Sequence, residues 1–358
     1  MDNLYNKAVS CLLGQMIGDA LGARYEFLNE TVTNQIKKDS VNNFLPILGG
    51  GIWNVDPGQV TDDTEMAFAL IESIKIHKTI DSKYILDQYI NWHKSKPFDE
   101  GYNTKYIFGN DNNKSVDLSK KLAVDYDNIN LTKHGSPNLS NGCLMRISPI
   151  GILLAPIIKI GFENLGIDKL SSIIIDITKK DTLLTHSSNT AVIACSVYVS
   201  LIGGNIVFGR QNFRNTLQLI KKIGSFDNII NRIIEKSIRF DNLDPPATVK
   251  IGYLGTGLQL AIMNSIYVSQ HKKSFYSSIL DTIKLGGDTD TNAAIVGSSI
   301  GSLVEVNEIP SIWIKTVTNY ANKSFLQSRL EKFKPYKMFK FTDLKLLIQV
   351  GYDITNNF

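Results

Sequence analysis

Two short acidic motifs carry the chemistry in this chain. Val60-Thr61-Asp62-Asp63-Thr64 leads into an apolar-periodic segment, and Gly286-Gly287-Asp288-Thr289-Asp290-Thr291 leads into Asn292-Ala293-Ala294-Ile295-Val296. Each sets carboxylates and hydroxyls at the start of a helix. One Asp or Thr is enough to cap a helix and complement its dipole. Paired aspartates flanked by threonines, occurring twice, exceed that need. If the motifs converge, four carboxylates crowd one place and raise one another's pKa unless cations neutralise them. Two divalent ions would balance the four charges. Carboxylate and hydroxyl oxygens select Mg²⁺ or Mn²⁺ over zinc. Such ions sit about 3.5–4 Å apart, orient substrate oxygens and activate water. Other motif readings fail. An EF-hand loop from Asp288 needs Gly and Glu where Ala293 and Ser299 stand. A DxDx[TV] phosphatase motif needs Thr or Val at Asn292, and no HExxH zinc motif occurs.

The elements that must position these residues read as helices. Leu4, Ala8, Leu12 and Met16 repeat at i, i+4, as do Met66, Leu70 and Ile74. Leu217, Ile220 and Ile223 continue the pattern. Ile309-Pro310-Ser311 followed by Trp313, Val317 and Tyr320 predicts a helix with Pro in its first turn. Strict alternation is scarce, so the fold class is all-α. The motifs lie more than 200 residues apart yet must meet, which argues for one domain. Residues 99–142, rich in Asn, Asp, Lys and Gly, read as a long functional loop with a short helix or as a mobile insertion. The Lys- and aromatic-containing C-terminal stretch reads as a solvated terminal element packing its aromatics.

The chain has 358 residues, is 43% hydrophobic and 20% charged, and carries a net charge of +4. That excludes collagen-like and wholly disordered classes and is too weakly basic for a nucleic-acid binder. Three well-separated cysteines, Cys11, Cys143 and Cys195, fit neither a disulfide framework nor a thiolate zinc site. With no signal-peptide pattern at the N-terminus, the expected setting is cytoplasmic. Residues 182–209 carry no Asp, Glu, Lys or Arg, but polar and Gly-Gly ends predict a buried helix and no membrane contact.

Assembled in order, several fragments resemble the ADP-ribosylglycohydrolase family from near the N-terminus to about residue 320. They are Gly18-Asp19-Ala20-Leu21-Gly22 with Glu26-Phe27, then Gly49-Gly50-Gly51, then Pro57-Gly58-Gln59 running into the first acidic motif and Glu65-Met66. Lys96-Pro97-Phe98-Asp99-Glu100-Gly101, Asn141-Gly142-Cys143-Leu144-Met145-Arg146, Thr185-His186, the second acidic motif and Ile309-Pro310-Ser311-Ile312-Trp313 follow. The run around Asp62 and the Lys96–Gly101 segment look most like the bacterial dinitrogenase-reductase-activating branch, which removes ADP-ribose from arginine.

The resemblance implies a single multi-helix catalytic domain over 1–330, with 331–358 as an extension packing on it. It implies a dinuclear Mg²⁺ or Mn²⁺ centre held by Thr61, Asp62, Asp63, Asp288, Asp290 and Thr291, the set that the charge argument also selects. It marks Glu26 as a movable acid near the ions and Asp99 as a residue that contacts the substrate arginine and assists cleavage by proton transfer. Asp62 or Asp288 would orient the attacking water. Where that branch has Gly-Asn, this chain has Gly101-Tyr102-Asn103, a one-residue insertion at the leaving-group loop. Asn141-Gly142 and Gly255-Thr256-Gly257 either let backbone N–H groups approach a pyrophosphate or allow tight helix contacts. His186 reads either as a hydrogen-bonded structural residue or as one stacking on the nucleotide. Arg146 is a phosphate partner or a buried ion-pair member, and Asp19 supports the acidic loop from behind. The implied activity is hydrolysis of ADP-ribose from an ADP-ribosylated protein at arginine, by a monomer that releases ADP-ribose. The alternatives are a serine-linked or O-acetyl-ADP-ribose substrate, or a non-catalytic ADP-ribose binder.

Overall fold

The computed structural model describes residues 2–109, 115–320 and 339–356. Among them the i, i+4 repeats form sixteen α-helices joined by short turns and 3₁₀ segments, with isolated bridges as the only β pairing. The helices are α1 (Asp2–Gly22), α2 (Val32–Asp39), α3 (Asp62–His77), α4 (Ser82–Lys94), α5 (Tyr102–Phe108), α6 (Val116–His134), α7 (Ser148–Asn164) and α8 (Ile167–Thr182). Then come α9 (Asn189–Phe208), α10 (Phe213–Gly224), α11 (Asn228–Arg239), α12 (Leu254–Ser269), α13 (Phe275–Ile283), α14 (Thr289–Gly301), α15 (Ser311–Tyr320) and α16 (Leu344–Thr355). The fold is all-α and one domain, with a single continuous hydrophobic core.

The contact that matters most for function joins α1 to α14. Along α1, Gly14, Gly18 and Gly22 lie directly over the backbone of Gly297, Ala293 and Thr289. A Cβ on Gly18 would sit 2.0 Å from the Ala293 carbonyl oxygen, and one on Gly297 would sit 2.1 Å from that of Gly14. Only residues without a Cβ permit this approach. Because the pairing runs antiparallel, the end of α1 reaches the start of α14, where the second acidic motif lies. Thr289 fixes the junction by donating its hydroxyl to the Gly22 carbonyl at 2.8 Å.

The first motif is fixed to the same place from α1. Asp19 accepts the N–H of Thr61 at 2.9 Å and that of Thr64 at 3.1 Å. It therefore satisfies donors at the start of α3 that a local cap would otherwise take. Gln15, one turn earlier, donates to the carbonyls of Asp63 and Met145 at 3.1 and 3.0 Å. A single helix thus ties down both acidic motifs and the chain leading into α7.

Three expectations are corrected. Residues 99–142 are largely helical: α5 and the 19-residue α6 occupy most of the stretch, with residues 110–114 outside the described region. Ser115 caps α6 by accepting the Leu118 N–H at 3.2 Å. The helix buries only Ser119, Leu122, Ala123 and Asp127, so its apolar stripe is too thin to read as periodicity. Pro310 stands one residue ahead of α15 rather than in its first turn. The C-terminal stretch is also more than a solvated edge, because Leu347 and Ile348 of α16 are fully buried and Gly351 abuts the Leu153 carbonyl of α7. Phe339 stacks on Phe68 of α3 at 4.6 Å. The boundary expected between 330 and 331 lies outside the described residues. α9 is long and apolar enough to cross a membrane by length and composition, and lies buried against α7, α8 and α10.

Candidate active site

The two acidic motifs, the turn after α1 and the Asp99 segment open onto one cleft of about 790 Å³. Among the described residues six carboxylates line it, Glu26, Asp62, Asp99, Glu100, Asp288 and Asp290, against one lysine, Lys105. Ligand oxygens of Glu26, Asp288 and Asp290 lie within 4.8 Å of one another. Asp62 lines the same cleft. Asp63 and Thr61 stand behind it, fully buried, with the Thr61 hydroxyl donating to Asp63 Oδ2 at 2.9 Å. The Thr291 hydroxyl reaches the same Asp63 oxygen at 3.5 Å, which joins the two motifs. Asp288 is held by the Asn141 side-chain amide at 2.7 Å.

Glu26 is placed by two turns. The Phe27 N–H donates to the Gly287 carbonyl at 3.0 Å, which pins the turn to the second motif. The other turn, at Gly49–Val55, brings Trp53 over the site, and its indole N–H donates to Glu26 Oε2 at 2.7 Å. Gly51 there has φ +72°, and a Cβ on it would meet the Ala23 carbonyl at 2.5 Å, so only glycine fits. Phe98 packs at a tilt against Trp53, with centroids 6.3 Å apart, and carries the chain into Asp99. Trp53 escaped the sequence reading. Its one signal was the Gly49-Gly50-Gly51 run just before it.

The electrostatics follow from burial and crowding. Burial, then the charge of Asp99, pushes the Asp62 carboxyl well above its usual range. Asp63 and Asp290 are raised in the same way, by burial and then by neighbouring carboxylates. Glu26 is raised to about 7 by burial and then by Asp288, against the opposing hydrogen bond from Trp53. Asp99 is raised to about 8 by burial, then by Glu26 and the acids beyond it. Asp63 Oδ1 is buried without a hydrogen-bond partner. Buried carboxylates with an orphaned oxygen and converging threonine hydroxyls form an all-oxygen set that fits hard divalent ions.

Other expected residues fall in different places. Gly101, Tyr102, Asn103, Asn141 and Gly142 all line the cleft. The inserted Tyr102 projects into solvent at the mouth, 87% exposed, while Asn103 turns inward and donates to the Thr185 carbonyl at 2.9 Å. His186 does not line the cleft. It is buried behind Ser140 and Asn103, its Nε2 is 2.9 Å from the Ser140 hydroxyl, and its Nδ1 is 2.9 Å from that of Thr185. Burial and then Arg146 lower its pKa to about 3, so it is a neutral support. Arg146 forms a fully buried ion pair with Asp181 at 3.2 Å and lies over the Tyr89 ring. Gly255, Thr256 and Gly257 are absent from the cleft wall. A Cβ on Gly255 would meet the Tyr253 ring at 2.4 Å and one on Gly257 would meet Ile295 at 2.8 Å, so these glycines permit close packing.

The model of the family described as ADP-ribosylglycohydrolase matches residues 1–338. The chain is 25% identical over 316 residues to the ADP-ribosyl-(dinitrogen reductase) glycohydrolase of Rhodospirillum rubrum, covering 87% of this chain and 90% of that protein. It is 22% identical over 342 residues to an ADP-ribosylarginine hydrolase of Serratia proteamaculans, covering 92% and 81%. A solved structure titled ADP-ribosylglycohydrolase-related protein complex superposes with a TM-score of 0.62 at 20% identity, covering 98% of this chain and all of that one.

Proposed function

Because this chain belongs to the ADP-ribosylglycohydrolase family and is therefore an enzyme that hydrolyses ADP-ribosyl linkages, we propose that its substrate is an ADP-ribosylated protein modified at arginine. The observation that carries this reading is the surplus of acid in the cleft. Of the six lining carboxylates, Glu26, Asp288 and Asp290 form the metal-type cluster, Asp62 belongs to the ligand set that the family resemblance implies, and Glu100 is engaged by His93 at 2.6 Å. Asp99 is left to face the leaving group. A buried carboxyl suits a cationic guanidinium through charge-assisted hydrogen bonds, whereas a neutral serine oxygen gives it no such partner.

Two Mg²⁺ or Mn²⁺ ions would be held by Thr61, Asp62, Asp63, Asp288, Asp290 and Thr291, with Glu26 beside them. When bound, such ions neutralise the carboxylates, hold ribose hydroxyls and acidify water. The protein's own groups do the rest. Asp62 or Asp288 orients a water toward the anomeric carbon. As the carbon–nitrogen bond breaks, positive charge develops on the ribose and the surrounding carboxylates stabilise it. Asp99 is the proton donor to the departing guanidine nitrogen, and the carboxylate that orients the water takes up the water's proton. The water's oxygen ends on ADP-ribose and arginine is restored. Trp53 keeps Glu26 in place through its indole N–H. Asn141 holds Asp288, the Gly142 N–H is available to the pyrophosphate, and Asn103 and Gly101 shape the leaving-group side.

The test is ADP-ribose release from arginine-ADP-ribosylated protein with Mg²⁺, Mn²⁺ or EDTA, beside a serine-linked substrate and O-acetyl-ADP-ribose. Metal-dependent release from arginine is the expected result. Release from the serine-linked protein or O-acetyl-ADP-ribose alone would overturn the role of Asp99.

A further inference from the structure

The segment that walls the cleft has a second cavity at its other end. Ile251 and Gly252 line the cleft, whereas Tyr253, Gly255 and Thr256 line a separate cavity of about 160 Å³ between α11 and α12. The two cavities share no lining residue. Residues 252–254 are held by the chain at 139–141, through Asn141 N–H to the Gly252 carbonyl at 2.8 Å and Leu254 N–H to the Leu139 carbonyl at 3.0 Å.

Several features of this cavity point to an anion. It lies at the N-terminus of the 16-residue α12, whose N-cap, Tyr253, makes no side-chain capping bond. Among the described residues the Gly255 N–H has no partner, so the positive end of the helix dipole is left open. Thr256 is 4% exposed and lines the cavity, and no hydrogen bond engages its hydroxyl among the described residues. The hydroxyl is therefore a free hydrogen-bonding group on the cavity wall, held by an otherwise buried side chain and available to a ligand. From α11, Arg232 and Lys236 line the same space. Arg232 has no ion pair among the described residues. Lys236 is 3.4 Å from Asp244, a largely exposed carboxylate that also lines the cavity. An exposed pair of that kind contributes little, so an entering anion can displace Asp244. Lys250, over the Tyr253 ring at 4.3 Å, adds positive charge nearby.

We propose that this cavity is a phosphate-binding site separate from the catalytic cleft. The phosphate would sit on the Gly255 N–H and the Thr256 hydroxyl, with Arg232 and Lys236 supplying charge from α11. Pockets for drug-sized ligands run to about 300–1,000 Å³. This volume therefore takes inorganic phosphate or a small phosphomonoester and excludes a second ADP-ribose. The apolar side chains of Ile233 and Leu243 border the space for a short carbon chain.

The test is calorimetric titration of the full-length protein, in Mg²⁺-containing chloride buffer, with inorganic phosphate and then with ribose 5-phosphate. Saturable binding is expected. The double variant Arg232→Gln/Lys236→Gln alters only the cavity's charged surface and should weaken it at least about tenfold, the loss of charge-assisted bonds. Thr256→Val, which keeps the side-chain shape, should weaken it about threefold or more. Asp290→Asn, which alters the cleft, should leave it unchanged. No binding to the wild-type protein, wild-type affinity in the double variant, or loss of binding in Asp290→Asn would each overturn the proposal. The last of these would move the phosphate to the catalytic cleft.

Discussion

Asp19 illustrates how much at this site depends on single side chains far apart in sequence. Its carboxylate, fully buried on α1, takes the N–H groups at the start of α3. That leaves Asp62 free to face the cleft and the Thr61 hydroxyl free for Asp63. Asp99 is the residue with the most specific expected effect. Asp99→Asn keeps the shape but cannot pass a proton, so turnover of the arginine-linked substrate should fall about 10²–10⁴-fold. Mg²⁺ affinity, followed by titration, should stay as in the wild type. Asp290 tests the crowding itself. Asp290→Asn removes a carboxyl whose ionisation is disfavoured first by burial and then by its neighbouring acids. The metal-free protein should therefore melt at a higher temperature than metal-free wild type, while Mg²⁺ should no longer raise its Tm. A metal-free variant less stable than wild type would show that burial and crowding of this carboxyl do not strain the metal-free fold.

At the scale of elements, the α1–α14 contact is what makes one centre from two motifs. Its glycines bring the backbones together so closely that a methyl group has no room. Overpacking usually costs about 1–3 kcal/mol, and here the obstacle is rigid backbone, so Gly18→Ala should lie at or above about 3 kcal/mol, measured by urea unfolding. Activity should fall with it, because a shift of α14 moves Asp288 and Asp290 relative to Asp62. The segment 252–254 plays a different part. By pairing with 139–141 it holds Asn141 beneath Asp288 on one side and opens α12 toward the second cavity on the other. α6 shows the limit of periodicity. Ser115 and Gly135 mark its ends well, but it lies along the surface with few apolar residues, so its middle reads as loop.

Over the whole molecule, stability and pH are coupled through the acidic centre. The carboxyls of Asp19, Glu26 and Asp99 are raised to about 7, 7 and 8 in the folded protein, against about 4 in an unfolded chain. Between those values the folded state binds more protons than the unfolded one, so stability falls as pH rises. His186, lowered to about 3, acts in the opposite direction below about 6.5, but it is one group against three. In EDTA, Tm should therefore rise as the pH is lowered from 8 to 6. Saturating Mg²⁺ should raise Tm by several degrees and flatten or reverse that slope, because an ion bound only by the folded state adds about 2.7 kcal/mol at a hundred times its dissociation constant. An unchanged pH slope with metal would mean that the ions do not sit among these carboxylates.

The amino-acid sequence by itself determined the helical class and the acidic motifs with their oxygen chemistry. These are encoded within a few turns of chain, where apolar spacing and residue type act locally. The order of the motifs was enough to place the chain in its family. Only the tertiary structure decided which of the marked residues share a cavity. It set Asn141 and Gly142 on the cleft wall and Gly255 and Thr256 in another cavity. It buried His186 behind Ser140, closed Arg146 into a pair with Asp181, and brought Trp53 onto Glu26. Each of these outcomes depends on contact between segments distant in the chain, and such contacts follow from how whole helices and turns pack together rather than from the spacing around any one residue.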